Sequence, residues 1–255
     1  MRGIRCHAVL LAASCAAAAA ETRLPIRAYT IADQLASDSV YSVLADSRGF
    51  LWFGTDEGLS RFDGYRFVNY GLPQGLPHRF IEGIIETHAG DLWIATPRGL
   101  SRVTAGGGSA RFVNYSLAQV GRAISPGAVI EMRSGRILAA TSQGLFESST
   151  DASESIHFRE STLRRLDGLN ITDLVEDSGG GLWVATTTGV FVFGASGAGA
   201  APQKLGVQDG LPGYWAQVLF ADSRGGVWVG VRGGVAHLRC GDQGKWSADQ
   251  VWPSE

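Results

Sequence analysis

From residue 40 onward, short runs of apolar residues alternate with clusters of Gly, Asp and Ser. VYSVLA (residues 40–45) reads as a strand, and Asp46-Ser47-Arg48-Gly49 as a turn in which Gly adopts a positive φ. FLWFGT (50–55) is a second, mostly apolar strand, closed by Asp56-Glu57-Gly58. Leu59 to Phe62 is a third strand, Asp63-Gly64 turns again, and Tyr65 to Tyr70 is a fourth.

The same phrase then recurs. Trp52, Trp93, Trp183 and Trp228 serve as anchors, with Leu138 in the place between the second and third, so the steps are 41, 45, 45 and 45 residues. Three positions before each anchor stands Gly49, Gly90, Gly135, Gly180 or Gly225. Six positions after it stands Gly58, Gly99, Gly144, Gly189 or Gly234, followed at once by Leu59, Leu100, Leu145, Val190 or Val235. Thr55, Thr96, Thr141 and Thr186 fill a further column, which ends in Val231. Four antiparallel strands in about 40–45 residues match one propeller blade. A helical repeat fails, because turn residues interrupt the chain too often for two helices per period. The predicted fold is all-β, a propeller of four-stranded antiparallel blades with about five blades present, forming a partial ring. Each Trp anchor is read as packing against a neighbouring blade, and Leu138 marks the slot as one that an aliphatic side chain can fill.

Some units are less regular. The third has Ile130-Glu131-Met132-Arg133 where others have strand and Asp, and its outer strand must fall within Ser148 to Ser161. The fourth carries a Gly- and Ala-rich loop, Gly194 to Ala201. Ahead of the first unit, residues 21–39 read as an outer strand and linker. Arg27-Ala28-Tyr29-Thr30 resembles the end of a strand such as Arg66 to Tyr70, and Asp33-Gln34-Leu35 matches Gln74-Gly75-Leu76. In a closed ring such a strand completes the last blade; Lys245 to Val251 is the alternative for that place.

Residues 1–20 read as a secretory signal. Arg2 and Arg5 give a positive start, Ala8 to Ala20 is an apolar run, and Ala18-Ala19-Ala20 offers a small-residue cleavage pattern. Ser14-Cys15 is a weaker candidate for lipidation, because Ala12 stands where a larger aliphatic residue is usual. Cleavage after Ala20 would remove Cys6 and Cys15, leaving Cys240 as the one thiol and no internal disulfide. The expected location is periplasmic or extracellular.

Composition removes several function classes. With 22 Lys and Arg against 24 Asp and Glu, net charge −2 and no basic block, the chain lacks the electrostatic footprint of a nucleic-acid binder. Gly is 35 of 255 residues, and the turn columns account for that abundance without a phosphate-cradling loop. His78, His88, His157 and His237 form no short metal-ligand spacing, and no Gly-x-Ser-x-Gly elbow occurs. No metal, cofactor or catalytic residue is expected. Asp46, Asp177 and Asp222, each six positions before its Trp, read as turn starters that bond their own backbone rather than as calcium ligands.

Function is then expected on loops at one mouth of the ring. The linker residues His78, Arg79, Asn170, Tyr214 and Trp215 are the ligand-binding candidates. Tyr214 and Trp215 put two aromatics where other copies have none, a surface suited to sugar rings or short peptides; capping of the blade edge is the competing role.

The runs YSVLADSRGFLWFGTDEGLSRFDGYRFVNY, IIETHAGDLWIATPRGLSRV, DLVEDSGGGLWVATTTGVFVF and LFADSRGGVWVGVRGGVAHL resemble the two-component regulator propeller family. Gly75-Leu76-Pro77 and Gly210-Leu211-Pro212 fit its inter-blade linker, and Gly168-Leu169-Asn170 is a variant. The resemblance covers about residues 24–240 and implies an extracytoplasmic sensory module of a hybrid histidine kinase or related regulator. Family members carry more blades, a membrane span and a cytoplasmic output domain, which this sequence does not show. The resemblance therefore implies a fragment whose kinase partner and downstream membrane span lie elsewhere, with a small solute or glycan as ligand. A standalone exported propeller, acting as a lyase or hydrolase or as a protein-binding scaffold, is the alternative.

Overall fold

The computed structural model describes residues 26–104, 110–117, 126–141, 144–150, 155–161, 166, 169–194, 201–241 and 244–254. The expected signal segment, Cys15 and most of the Gly194 to Ala201 loop lie outside the described residues.

Among them are five four-stranded antiparallel sheets, each a simple meander in chain order. Blade 1 comprises β1 (Val40–Ala45), β2 (Leu51–Thr55), β3 (Leu59–Phe62) and β4 (Phe67–Tyr70). Blade 2 comprises β5 (Gly83–Glu86), β6 (Leu92–Thr96), β7 (Gly99–Thr104) and β8 (Arg111–Tyr115). Blade 3 comprises β9 (Pro126–Glu131), β10 (Ile137–Thr141), β11 (Gly144–Thr150) and β12 (Ile156–Glu160). Blade 4 comprises β13 (Ile171–Glu176), β14 (Leu182–Thr186), β15 (Gly189–Phe193) and β16 (Gln203–Leu205). Blade 5 comprises β17 (Ala216–Ala221), β18 (Val227–Val231), β19 (Gly234–Cys240) and β20 (Trp246–Pro253). The outer strand of the third unit falls inside the predicted stretch.

The two glycine columns have different causes. Gly49, Gly90 and Gly135 sit at φ of 88°, 80° and 79° with open space where a Cβ would be, so backbone conformation alone selects glycine. Gly58 and Gly189 combine φ of 145° and 129° with close approach to the outer strand: a Cβ there would lie 2.7 and 2.6 Å from the carbonyl oxygens of Tyr70 and Leu205. The threonine column closes the same turn. The hydroxyls of Thr55, Thr96, Thr141 and Thr186 donate to the carbonyls of Gly58, Gly99, Gly144 and Gly189 at 2.7–2.9 Å, which Val231 in blade 5 cannot do.

Packing between blades follows one rule. The face carrying the anchor meets the aliphatic face of the next sheet. Trp52 joins Ile84, Leu92 and Ile94 of blade 2; Trp93 joins Val129, Ile137 and Ala139 of blade 3. Leu138 joins Leu174, Leu182 and Val184 of blade 4, and Trp183 joins Leu219, Val227 and Val229 of blade 5. Trp52, Trp93 and Trp183 are fully buried, as predicted for packing anchors. Trp228 is not: its face of blade 5 is open, with Val218 55% and Phe220 64% exposed. The opposite face of blade 1 is also open at Val43, 60% exposed.

The N-terminal segment behaves as a linker rather than as a strand. Residues 26–30 join no sheet, and β20 supplies the outer strand of blade 5, which is the alternative raised for Lys245 to Val251. The match of Asp33-Gln34-Leu35 to Gln74-Gly75-Leu76 is structural as well as verbal. Short 3-10 turns at Ile31–Asp33, Leu72–Gln74 and Val207–Asp209 end in left-handed Gln34, Gly75 and Gly210, followed by buried Leu35, Leu76 and Leu211. Asn69 Nδ2 donates to the Gln34 carbonyl as Asn114 Nδ2 donates to that of Gly75, both at 2.9 Å. Tyr29 packs on Phe62 and Phe67, just as Tyr70 packs on Phe112 one blade later.

A polar ladder ties the blades on the side of the β1–β2-type turns. Glu86 accepts from the Ser47 N–H, Glu131 from the His88 N–H and Glu176 from the Arg133 N–H, at 2.8, 2.8 and 2.7 Å. The equivalent residue of blade 5 is Ala221, so Ser178 meets no such carboxylate. Ala221→Glu is expected to raise stability by about 0.5–1 kcal/mol through one added, partly exposed hydrogen bond to an ionised acceptor. A urea midpoint unchanged or lowered in that variant would show that the ladder is not transferable to this seam.

Candidate functional site

The linkers run beside second turns, that of the preceding blade at Ile81 and that of the blade being entered at Asn170 and Trp215, and backbone bonds fix them there. Ile81 N–H donates to Thr55 O at 2.9 Å, Thr187 N–H to Asn170 O at 3.2 Å, and Arg232 N–H to Trp215 O at 2.9 Å. Linkers and second turns therefore share one side of the molecule, opposite the glutamate ladder.

All five candidates lie on this side, on three different linkers. Arg79 is exposed and paired with Glu57 at 2.8 Å. His78 is half-buried, and its Nδ1 accepts from the Phe80 N–H at 3.1 Å, so it braces its own linker. Asn170 is exposed at its side chain. Tyr214 and Trp215 are both exposed, and the Arg232 guanidinium lies 5.9 Å from the Trp215 ring centre. Among the described residues, no hydrogen bond, ion pair or ring contact joins candidates of different linkers. The surface is a row of separate side chains along the mouth.

Residues beyond the candidates take part. Tyr41, exposed at the start of β1, packs its ring 4.6 Å from that of Phe80 and forms a second aromatic surface at the first linker. Phe80, Asn170 and Trp215 occupy equivalent linker positions, immediately before Ile81, Ile171 and Ala216. Phe80 is thus the counterpart of Trp215 in the first linker, which corrects the expectation that Tyr214 and Trp215 stand where other copies have no aromatic.

Asp173 was also absent from the sequence candidates. It sits in the seam between blades 4 and 5, accepting from the N–H groups of Leu174 at 2.8 Å and Leu219 at 2.7 Å. Burial pushes its pKa up, against those two N–H donors. Beside it Thr172 donates to the Ala216 carbonyl at 2.7 Å. The bonds to Leu219 and Ala216 cross the seam, and their role is structural.

The three aspartates chosen as turn starters behave so. Asp46, Asp177 and Asp222 accept at Oδ1 from the N–H two residues on, at 3.0, 2.8 and 2.7 Å. Among the described residues no cluster of three or more His, Cys, Asp or Glu side chains has metal-binding geometry, and no helix is long and apolar enough to cross a membrane. An open groove of about 350 Å³ lies between blades 4 and 5, lined in part by Ser178, Gly225, Cys240 and Trp246. It is on the ladder side and contains none of the five candidates.

Residues 34–57 and 165–188 match the two component regulator propeller family, covering parts of the first and fourth repeats. No curated protein matches the chain. Among solved structures, the extracellular domain of one hybrid two component system from B. thetaiotaomicron is similar at TM-score 0.69 and 20% identity, over 87% of this chain and 31% of that one. A second such domain from the same organism is similar at TM-score 0.64 and 20% identity, over 78% and 27%. Virginiamycin B lyase from Staphylococcus aureus is similar at TM-score 0.62 and 15% identity, over 82% and 69%. At these identities the likeness is one of fold. The chain spans less than a third of the length of these two extracellular domains.

Proposed function

We propose that this chain is the extracytoplasmic, ligand-sensing propeller part of a two-component system, exported by residues 1–20 and read out by a kinase or regulator domain. The family match at residues 34–57 and 165–188 carries this reading. The propeller likeness to extracellular domains of hybrid two component systems supports it. Signal output would come from a ligand that binds one state of the propeller better than another.

The ligand surface of this proposal is the mouth, with Tyr214, Trp215 and Asn170 as contact residues and Arg79 and His78 at the neighbouring linker. Exposed aromatic faces beside amide and guanidinium groups suit a small solute or glycan, apolar faces stacking while polar groups bond hydroxyls. Isothermal titration of the folded propeller with oligosaccharide pools is expected to show binding. Trp215→Ala should weaken it by about 3–10-fold, the equivalent of one aromatic contact of about 0.5–1.5 kcal/mol. No heat across the pools from a folded protein would overturn the proposal, as would binding untouched by Trp215→Ala and Tyr214→Ala together.

The lyase-like fold of the Staphylococcus aureus neighbour favours an enzyme as the second reading. Such chemistry needs acid and base groups converging on one point. His78 braces a linker backbone, and His237 is buried between two aspartates on the outer part of blade 5, so this pair offers no shared reacting centre.

A further inference from the structure

Blade 5 keeps the Asp–Trp spacing of blades 1 and 4 but connects those residues differently. In blades 1 and 4 the indole N–H of Trp52 and Trp183 donates to Oδ2 of Asp46 and Asp177, at 2.9 and 2.8 Å. In blade 5, Oδ2 of Asp222 faces Nε2 of His237 at 3.0 Å instead. Trp228 lies on the open face, 5.2 Å from the Trp252 ring and 4.7 Å from that of His237. The cause is the residue paired with the anchor on the third strand. It is Val192 opposite Trp183, which leaves Asp177 to the indole, and His237 opposite Trp228, which takes Asp222 for itself.

His237 is buried, and both of its ring nitrogens face carboxylates: Nδ1 lies 2.6 Å from Oδ1 of Asp249. Ionised carboxylates only accept hydrogen bonds, so the two contacts are both hydrogen bonds when the ring is the imidazolium. The charged groups around it come from three elements. The turn before β18 brings Asp222, β20 brings Asp249, and β19 brings Arg239, whose Nε lies 3.3 Å from Oδ2 of Asp249. The packed element β18 adds the uncharged Trp228 ring. The Gly226 N–H, working against partial desolvation and helped by the Arg224 N–H and His237, holds the Asp222 pKa down at about 2. Asp222 is thus a fixed negative charge at any physiological pH.

We propose that His237 is a proton-operated latch on Trp228: protonated, it occupies Asp222 and leaves the indole on the open face of blade 5; deprotonated, it yields Asp222 to the indole N–H. On losing its proton the ring keeps the shorter bond, to Asp249, and turns the Nε2 lone pair toward a carboxylate that needs a donor. Trp228 carries the donor that answers the same carboxylate in blades 1 and 4. The open face, which also holds Phe220 and Val218, thereby changes its apolar outline with pH.

The test is NMR of the whole chain labelled with ¹⁵N at the indoles, with the Trp228 signal assigned by its loss in Trp228→Phe. Raising the pH from about 5 to about 9 spans the range in which histidine changes charge. The Trp228 indole signal is expected to shift, and its solvent exchange to fall about tenfold behind that of a free indole as the new bond forms. In His237→Val, which copies blade 4, the signal should sit at the bonded position at every pH. Should that variant fail to fold, His237→Gln, which cannot carry the charge, should likewise abolish the titration. A Trp228 signal that does not move in the native chain, or that still titrates without His237, overturns the latch.

Discussion

Trp183→Ala is expected to lower the free energy of unfolding by about 3–5 kcal/mol, whereas Trp228→Ala should cost about 1–2 kcal/mol. Both residues are anchors at the same place in the repeat, so sequence position alone predicts equal effects. Burial separates them. Trp183 is enclosed between Leu219, Val227 and Val229 of blade 5 and the edge of the Trp246 ring at 4.6 Å. Its removal leaves a cavity in a rigid seam and strips Asp177 Oδ2 of its donor. Among the described residues Trp228 has no sheet against it and bonds no carboxylate, so its loss exposes part of Trp252 and of the His237 ring but opens no seam between blades. Urea denaturation of the two variants measures the difference. Equal losses would mean that Trp228 is buried in solution by something that covers the open face of blade 5.

The repeat period, the four strands of each blade and the packing role of the anchors were legible because each depends on residues close in sequence. A turn that needs a positive φ leaves a Gly at fixed distance from its strand, and Leu138 could be placed by that Gly alone. The N-terminal linker was legible for the same reason, although its strand was not: whether residues 26–30 pair with a sheet depends on a partner far along the chain, and β20 already holds that place. Cross-strand and cross-blade partners were the hidden class. The spacing of Asp222 and Trp228 equals that of Asp46 and Trp52, yet a histidine nine residues past the tryptophan intercepts the carboxylate. The glutamate ladder was legible in principle, since Glu86, Glu131 and Glu176 recur seven positions before their anchors, but its meaning lies in the preceding blade. The mouth was read only in part, because exposed aromatics show up as composition while the Tyr41–Phe80 pairing is a contact between units.

Asp46→Ala is expected to cost about 2–5 kcal/mol at neutral pH, and the loss should shrink in acid. The carboxylate is buried under its turn and gathers the N–H groups of Arg48 and Phe50 at 3.0 and 2.8 Å, the Trp52 indole at 2.9 Å and the Arg48 guanidinium at 3.1 Å. Truncation leaves the indole N–H, buried beneath blade 2, with no acceptor. Burial pushes the Asp46 pKa up, but the Trp52 indole, the Phe50 N–H and Arg48 together outweigh it and hold the group below its ordinary 3.8. The sign follows from proton binding: below 3.8 the unfolded chain takes up a proton that the folded one refuses, so the stabilisation is complete above that pH and drains away as pH falls through the folded-state value. The gap in urea midpoint between native chain and variant should therefore be widest near neutrality and narrow below about pH 4. Asp46→Asn should recover part of the loss, since its amide oxygen still accepts from the backbone while its NH₂ group cannot serve the indole. A gap that stays constant down to acid unfolding would mean that Asp46 acts through the shape of its turn and not through its charge.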